Sequence, residues 1–282
     1  MNAGSQARLL FEPARSGVLS WNAHALAGSV AIRLLRAHEP DGDWIELFEW
    51  NGSGRRSLGP QRDGLNVQTD IVTVDQPIDG VDVRIDGGEF ELVAFSTPVT
   101  PRTSLPYARD AMILDVPARS QYDVDGEHGW CSPTSLAMLH EYHGIDIPTH
   151  ETAARVLDRA YNGTGNWSFN VAYSGSLGFY AVVAHLDGLE RAQRCIERGL
   201  PIAISYSWSA GELPGAPLEH SDGHLAVLRG FTANGDCAIN DPAHPNLSVV
   251  YPRAALERIW QRSGGIAYLV APGGIAFDDL LA

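Results

Sequence analysis

Residues 116–144 read VPARSQYDVDGEHGWCSPTSLAMLHEYHG, and the second half of that stretch has the marks of a helix that opens on a cysteine. Pro133 falls in the first turn, where a missing N–H costs nothing. Gly144 is placed to stop the helix just past its end. Cys131 therefore stands at a helix N-terminus, whose free N–H groups and partial positive charge lower a thiol pKa. That matters because the thiolate is the nucleophile and the thiol hardly reacts. The same N–H groups can hold an oxyanion, and the amide of Gln121, upstream, can supply a second donor.

A thiolate needs a base, and the base needs a group to orient it. Downstream the chain reads GHLAVLRGF, with His224 at the start of an apolar strand, and then INDPA, with Asp241 at the end of the next. The intervening TANGD contains Asn-Gly, a strong hairpin signal, so two adjacent antiparallel strands bring His224 and Asp241 together. Gly223 is expected to permit a close backbone approach beside His224. Trp130, Trp167, Tyr173, Tyr206 and Trp208 are candidates to line a substrate groove, although Trp and Tyr are equally ordinary as core residues. The long irregular segment 211–223, before His224, is of a length that is often functional.

Outward from this region the chain changes character. Residues 1–100 read as short strands, among them SVAIRLL, DWIELFEW, VDVRID and FELVAFS, separated by Gly/Asp/Pro-rich turns. Their number and spacing predict an antiparallel β-sandwich, jelly-roll-like. Trp21, Trp44, Phe48 and Trp50 either fill its core or form an aromatic platform for a glycan or cell-wall contact. Prolines cluster in TPVTPRTSLPYARD, which places a linker at 101–111. Residues 112–282 form the second expected domain, with helices in SPTSLAMLHEYHG, HETAARVLDRAY and GLERAQRCIERG. PIAISYSW, GHLAVLRGF, DCAIND and LSVVYP are strands. Helices precede strands rather than alternating with them, which predicts α+β.

Composition narrows the function. Hydrophobic residues make up 44% and charged residues 19% of 282 residues, as in a globular protein. The formal charge of −14 excludes nucleic acid and anionic membrane surfaces as expected partners, since both reward clustered Lys and Arg. No apolar run is long enough to span a membrane. The N-terminus lacks a signal pattern, so the protein is expected either in the cytoplasm or secreted after removal of a signal, with the balance towards secretion. Three cysteines do not make a disulfide framework; Cys195 and Cys237 read as small buried residues, or as a bridge if the protein is secreted. HEYHG is one residue short of a zinc-protease motif and reads as a solvated helix face. DVDGEHG lacks the spacing of a calcium loop. No Walker or GxGxxG loop occurs, and neither metal nor cofactor is expected.

The order Gln, Cys, His, Asp resembles that of the papain-like cysteine peptidases. Within them the matching stretches VPARSQYDVDGEHGWCSPTSLAMLHEYHG, GHLAVLRGF and INDPA are similar to the bacteriocin-processing (double-glycine) peptidases, in the broad C39-like form. GNWSFNVAYSGSLGFYA, residues 165–181, is similar to a sub-group of such bacterial proteins. The resemblance covers about residues 112–270. It implies a papain-like fold, with Cys131 as nucleophile, His224 as base, Asp241 as orienting residue and Gln121 as oxyanion donor. One departure is Ser132, where the group more often has Gly. The function this implies is a cysteine peptidase or amide hydrolase acting on a peptide or amide through a thioester. The alternatives are an acyl transferase on the same fold and a non-catalytic peptide- or glycan-binding protein.

Overall fold

A computed structural model describes residues 5–102, 110–123, 129–273 and 277. Most of the expected linker, and the centre of DVDGEHG, lie outside the described residues. In chain order the elements are β1 (Ser5–Asn22), β2 (Gly28–Arg36), β3 (Glu39–Pro40), β4 (Ile45–Asn51), β5 (Gly54–Ser57), β6 (Gln61–Arg62), β7 (Leu65–Gln68), β8 (Ile71–Asp86) and β9 (Leu92–Ser96). There follow β10 (Met112–Ile113), α1 (Cys131–Tyr142), α2 (Thr149–Val156), α3 (Trp167–Ser176), β11 (Tyr180–His185), α4 (Leu189–Glu197) and β12 (Ile202–Trp208). The chain ends with β13 (Ser221–Phe231), β14 (Cys237–Asn240), β15 (Ser248–Tyr251), α5 (Arg253–Arg262) and β16 (Ile266–Ala271). They form two compact units: Met1–Pro98 with Arg155–Val183, and Val99–Ala154 with Ala184–Ala282. The second segment of the first unit, expected in the C-terminal domain, clusters instead with the N-terminal strands.

In the first unit the strands join in one continuous sheet, whose main path is β5-β4-β2-β8-β1-β9, and its pairs are antiparallel. Register is pinned at Asp82 on β8, which lies opposite both Arg8 of β1 and Arg33 of β2. Its carboxylate accepts from Arg8 Nε at 2.7 Å and from Arg33 Nη2 at 2.7 Å. A slip of one residue would send Asp82 to the other face and break both pairs. The apolar face is built on Trp21, which stacks on Phe48 at 5.0 Å and Trp50 at 6.0 Å. These three residues are 1%, 0% and 8% exposed, so they do not form a glycan platform. Trp44 lies under the guanidinium groups of Arg33 and Arg84, at 5.0 and 4.8 Å. The aromatic side chains give no support to a glycan contact.

The helix α3 completes this core. It has no polar face, since every residue from Ser168 to Gly175 is buried, and helical periodicity is therefore silent in its sequence. Its start is set by polar groups. Asn166 accepts from Phe169 N at 3.0 Å, and the Asp70 carboxylate accepts from the N–H groups of Trp167 and Ser168. Phe169 then turns its edge to Phe48 at 5.3 Å. Ser168 Oγ donates to Leu19 O at 2.6 Å, and the Asn22 amide exchanges two hydrogen bonds with Ala181. Gly175 is required by this packing, because a Cβ there would lie 2.5 Å from that of Asn22.

The second unit is organised on a sheet of order β11-β16-β12-β13-β14-β15, with β10 beside β13. The pairs β12/β13, β13/β14 and β14/β15 are antiparallel. β13 and β14 are joined at TANGD, where Gly235 takes the positive φ the loop needs. α1 is tied to β13 by Ser135 Oγ donating to Leu225 O at 3.2 Å, and to β16 by a 2.9 Å hydrogen bond between Ser132 Oγ and Tyr268 OH. The hydroxyl that distinguishes Ser132 from glycine is thus buried and satisfied. His140, expected on a solvated face of α1, is fully buried, while Glu141, Tyr142 and His143 are half-buried and Gly144 is exposed. Helices beside antiparallel sheets make this a mixed α/β chain.

The core role of α3 predicts that Phe169→Ala destabilises the first unit by about 3–5 kcal/mol, the usual cost of deleting a buried aromatic side chain. Denaturant unfolding followed by tryptophan fluorescence reads this loss. A change under about 1 kcal/mol, the range of ordinary surface substitutions, would contradict the packing described.

Candidate active site

Cys131 is the first residue of α1. The preceding residue, Trp130, provides the cap position, with its carbonyl accepting from Thr134 N at 3.0 Å and Thr134 Oγ1 at 2.6 Å. Among the described residues no side chain caps the helix, and its first turn holds no acidic residue, whereas α2 and α4 carry Glu151 and Glu190 there. A carboxylate at that point would compete with a thiolate for the same N–H groups and the same dipole. Pro133 withdraws no donor that the turn needs. The backbone N–H groups of Ser132 and Leu225 both act on the sulfur.

His224 lies on β13, buried. Its Nε2 pairs with Asp241 Oδ1 at 2.8 Å, which leaves Nδ1 for its hydrogen bond with Cys131. The imidazole sits among aromatic rings, with Tyr206 and Trp208 both at 5.6 Å and near-perpendicular. β12 and β13 place these rings side by side, since Tyr206 pairs with His224 across the ladder. The next pair, Trp208 with Ser221, is out of step by one residue, so a bulge at Asp222–Gly223 precedes His224. Bulges of this kind re-aim a side chain beside a site. Gly223 itself has open space where a Cβ would be and no positive φ. The close approach expected of it is absent, and the bulge does that work.

Asp241 follows β14 and is buried. Oδ1 also accepts from Ala243 N at 3.0 Å, and Oδ2 accepts from Tyr251 OH at 2.7 Å. Gln121 is tethered beside it, its backbone N donating to Pro242 O at 2.9 Å. The Gln121 side chain is buried, and its Oε1 has no partner among the described residues. The segment after β12 is built rather than loose: Glu212 pairs with Arg262 at 2.6 Å and accepts from Ser209 N at 2.8 Å. Trp208 Nε1 donates to Leu218 O at 3.1 Å.

The structure thus brings together Cys131, His224 and Asp241, with Gln121, Trp130, Tyr206 and Trp208 on neighbouring elements of the same unit. Tyr206 and Trp208 are buried and Trp130 is half-buried. Trp167 and Tyr173 belong to α3 in the first unit, and none of the contacts described for Cys131, His224 or Asp241 involves them. Two contributors escaped the sequence reading. Tyr251 stands in LSVVYP, which reads only as a strand, and the Leu225 N–H has no sequence signature at all.

Electrostatics separate Cys131 from the other thiols. Burial alone would raise its pKa, but the hydrogen bond and charge of His224, with the two backbone N–H groups, bring it below the usual thiol value. Burial likewise disfavours a charged His224, and Asp241 and Cys131 together reverse this and raise its pKa. Asp241 is held below the carboxylate range, burial being overcome by His224, Tyr251 and Ala243 N. Cys195, by contrast, is pushed up to about 12 by burial, and Cys237 also rises through burial. All three cysteines are free thiols. This arrangement can carry a thiolate–imidazolium pair, the starting point of nucleophilic attack.

The profile of the family described as "Peptidase_C39 like family" matches residues 113–268, more than half of the chain. No protein of curated function matches. Among solved structures, a Bacillus anthracis protein described as a C39-like peptidase is 21% identical, with 58% of this chain and 98% of that one covered, at a TM-score of 0.45. A double glycine motif protease from an AMS/PCAT transporter, in complex with its leader peptide, is 21% identical over 60% and 99%, at 0.42. The peptidase domain of Streptococcus ComA, a bifunctional ABC transporter of a quorum-sensing pathway, is 17% identical over 55% and 97%, at 0.39.

The contrast between the thiols predicts single-site labelling. Iodoacetamide at about pH 7, well below the ordinary thiol pKa of about 8.5, is expected to modify Cys131 and leave Cys195 and Cys237 untouched. Peptide mapping identifies the site. Equal, slow modification of all three would contradict the geometry.

Proposed function

The chain belongs to the peptidase C39-like family and is a cysteine-type peptidase; we propose that it cuts the amide bond of a peptide through a Cys131–His224–Asp241 triad and a thioester intermediate. The observation that carries this reading is the buried chain of contacts from an uncapped helix start through His224 to Asp241. The Cys131 thiolate attacks the carbonyl carbon, and the carbonyl oxygen takes up the negative charge. The Cys131 N–H and the Gln121 amide are the donors that stabilise it. As the tetrahedral adduct collapses, His224 gives its proton to the departing amine and a thioester remains. Neutral His224 then takes a proton from water, whose oxygen attacks the thioester; the acid leaves, and the Cys131 thiolate beside protonated His224 is restored. Asp241 holds the imidazole with Nδ1 towards the sulfur throughout, as an orienting carboxylate does.

Among the described residues no helix is long and apolar enough to cross a membrane. The substrate class is a peptide, as the family match supports. Trp130 and Trp208 are the residues of the second unit assigned to flank it, and Trp167 and Tyr173 are assigned from sequence alone. Acyl transfer uses the same thioester with an amine in place of water. Water and an added amine are distinguished by the product.

The test is cleavage of a proteome-derived peptide library followed by mass spectrometry. Cys131→Ala and His224→Ala are expected to lower cleavage by a factor of about 10³ or more, and Asp241→Asn by about 10² or more, as when triad members are removed. Acid-quenched enzyme is expected to carry an acyl group on Cys131. Undiminished cleavage by Cys131→Ala would overturn the mechanism. Products capped by an added amine, with no hydrolysis, would replace peptidase by transferase.

A further inference from the structure

We propose that Tyr251 is a positioning residue for the reaction, its hydroxyl fixing the Asp241 carboxylate so that His224 presents Nδ1 to Cys131. The inference rests on the triad reading above and goes beyond it. A buried carboxylate is costly unless its oxygens are hydrogen-bonded. Asp241 meets that condition with donors from three separate places: His224 Nε2 from β13 and Ala243 N from the turn after β14 on Oδ1, and Tyr251 OH from β15 on Oδ2. Tyr251 supplies the hydrogen bond described on Oδ2. Without it Oδ2 loses that donor, and the carboxylate is held less firmly about its own bond, with Oδ1 less well aligned to the imidazole.

The scaffold makes Tyr251 suited to this task. Its ring is fully buried. β15 pairs with β14 in a regular antiparallel ladder, Tyr251 opposite Cys237 and Ser248 opposite Asn240. The Ser248 hydroxyl also donates to Asn240 Oδ1 at 2.8 Å, beside Asp241. The strand bearing the phenol is thus locked to the strand that delivers the carboxylate. The ionisable groups facing Asp241 are His224 from β13, Tyr251 from β15 and Tyr206 from β12, with Cys131 of α1 beyond the imidazole. His244 lies in the same turn, its N–H bonded to Asp241 O at 3.1 Å and its Nδ1 accepting from Asn246 N at 3.0 Å. The Tyr206 hydroxyl is buried near Asp241, and burial, then the charge and hydrogen bonding of Asp241, push its ionisation well up. Burial, and then the charge of Asp241, push the ionisation of Tyr251 upwards, so it remains a protonated donor wherever the enzyme works.

Asp241 acts as a carboxylate, and its pKa is depressed by its donors. Loss of one donor raises that pKa, so the ionised form, and with it the thiolate–imidazolium pair, is lost at a higher pH as the solution is acidified. The experiment is the rate of iodoacetamide reaction at Cys131 against pH, with Cys131→Ala as the blank and thermal unfolding recorded alongside. Tyr251→Phe is expected to move the acid limb upwards by about one pH unit, the scale of one hydrogen bond to a carboxylate. Replacing Tyr251 by 3-fluorotyrosine keeps the ring and the hydroxyl but strengthens the donor, and is expected to move the limb downwards. This second variant decides the matter if Tyr251→Phe does not fold. A limb that stays in place in the folded variants overturns the proposal, even where the unfolding temperature falls. Failure of the triad reading has a different signature: wild-type Cys131 would then titrate as an ordinary thiol.

Discussion

Burying the Asp241 carboxylate as an ion is the constraint on which the rest of the second unit depends. A lone carboxylate in that position would take up a proton rather than stay charged. Here three donors from three places in the chain converge on it. They can do so only if β13, β14 and β15 lie in antiparallel register, and the pairs of those strands supply that register. The saturated carboxylate then fixes the His224 ring, and the bulge before His224 aims the ring's free side at the start of α1. That start is held by Ser132 against Tyr268 and by Ser135 against Leu225.

Burial opposes ionisation at all three cysteines, so burial does not explain Cys131. Cys195 and Cys237 show what burial does when little opposes it, the former reaching about 12. Cys131 differs by its position at an open helix terminus and by the imidazole beside it, and the balance turns the other way. The absence of acid from the first turn of α1 belongs to the same balance. A glutamate of the kind found in α2 and α4 would stabilise the helix and weaken the thiolate.

Much of this was legible in the chain. The helix start at Cys131, the strand at His224 and the hairpin to Asp241 each follow from local rules: a proline in a first turn, an apolar run, an Asn-Gly loop. What escaped depends on partners distant in sequence. Every residue of α3 from Ser168 to Gly175 is buried, so residues 155–183 join that unit without any periodic signal. His140 is buried in α1 of the second unit, where the sequence reads a wet face. Trp21, Phe48 and Trp50 read first as a core with a platform as the rival, and their stacking and burial decide for the core. Gly223 invites a steric reading, yet its surroundings are open, and the register shift beside it is invisible without the partner strand. Tyr251 reads as one more aromatic residue in a strand until β14 sets it against Asp241.

The central claim is that Cys131 is a thiolate paired with protonated His224 at neutral pH. The most direct measurement is the ultraviolet thiolate absorbance of the wild-type protein minus that of Cys131→Ala, titrated with pH. The account predicts a thiolate band already present at about pH 7, below the ordinary thiol range, and abolished together with the pair in His224→Ala. A band that emerges only as the pH passes about 8.5, as for an unperturbed cysteine, and that is indifferent to His224, would contradict it.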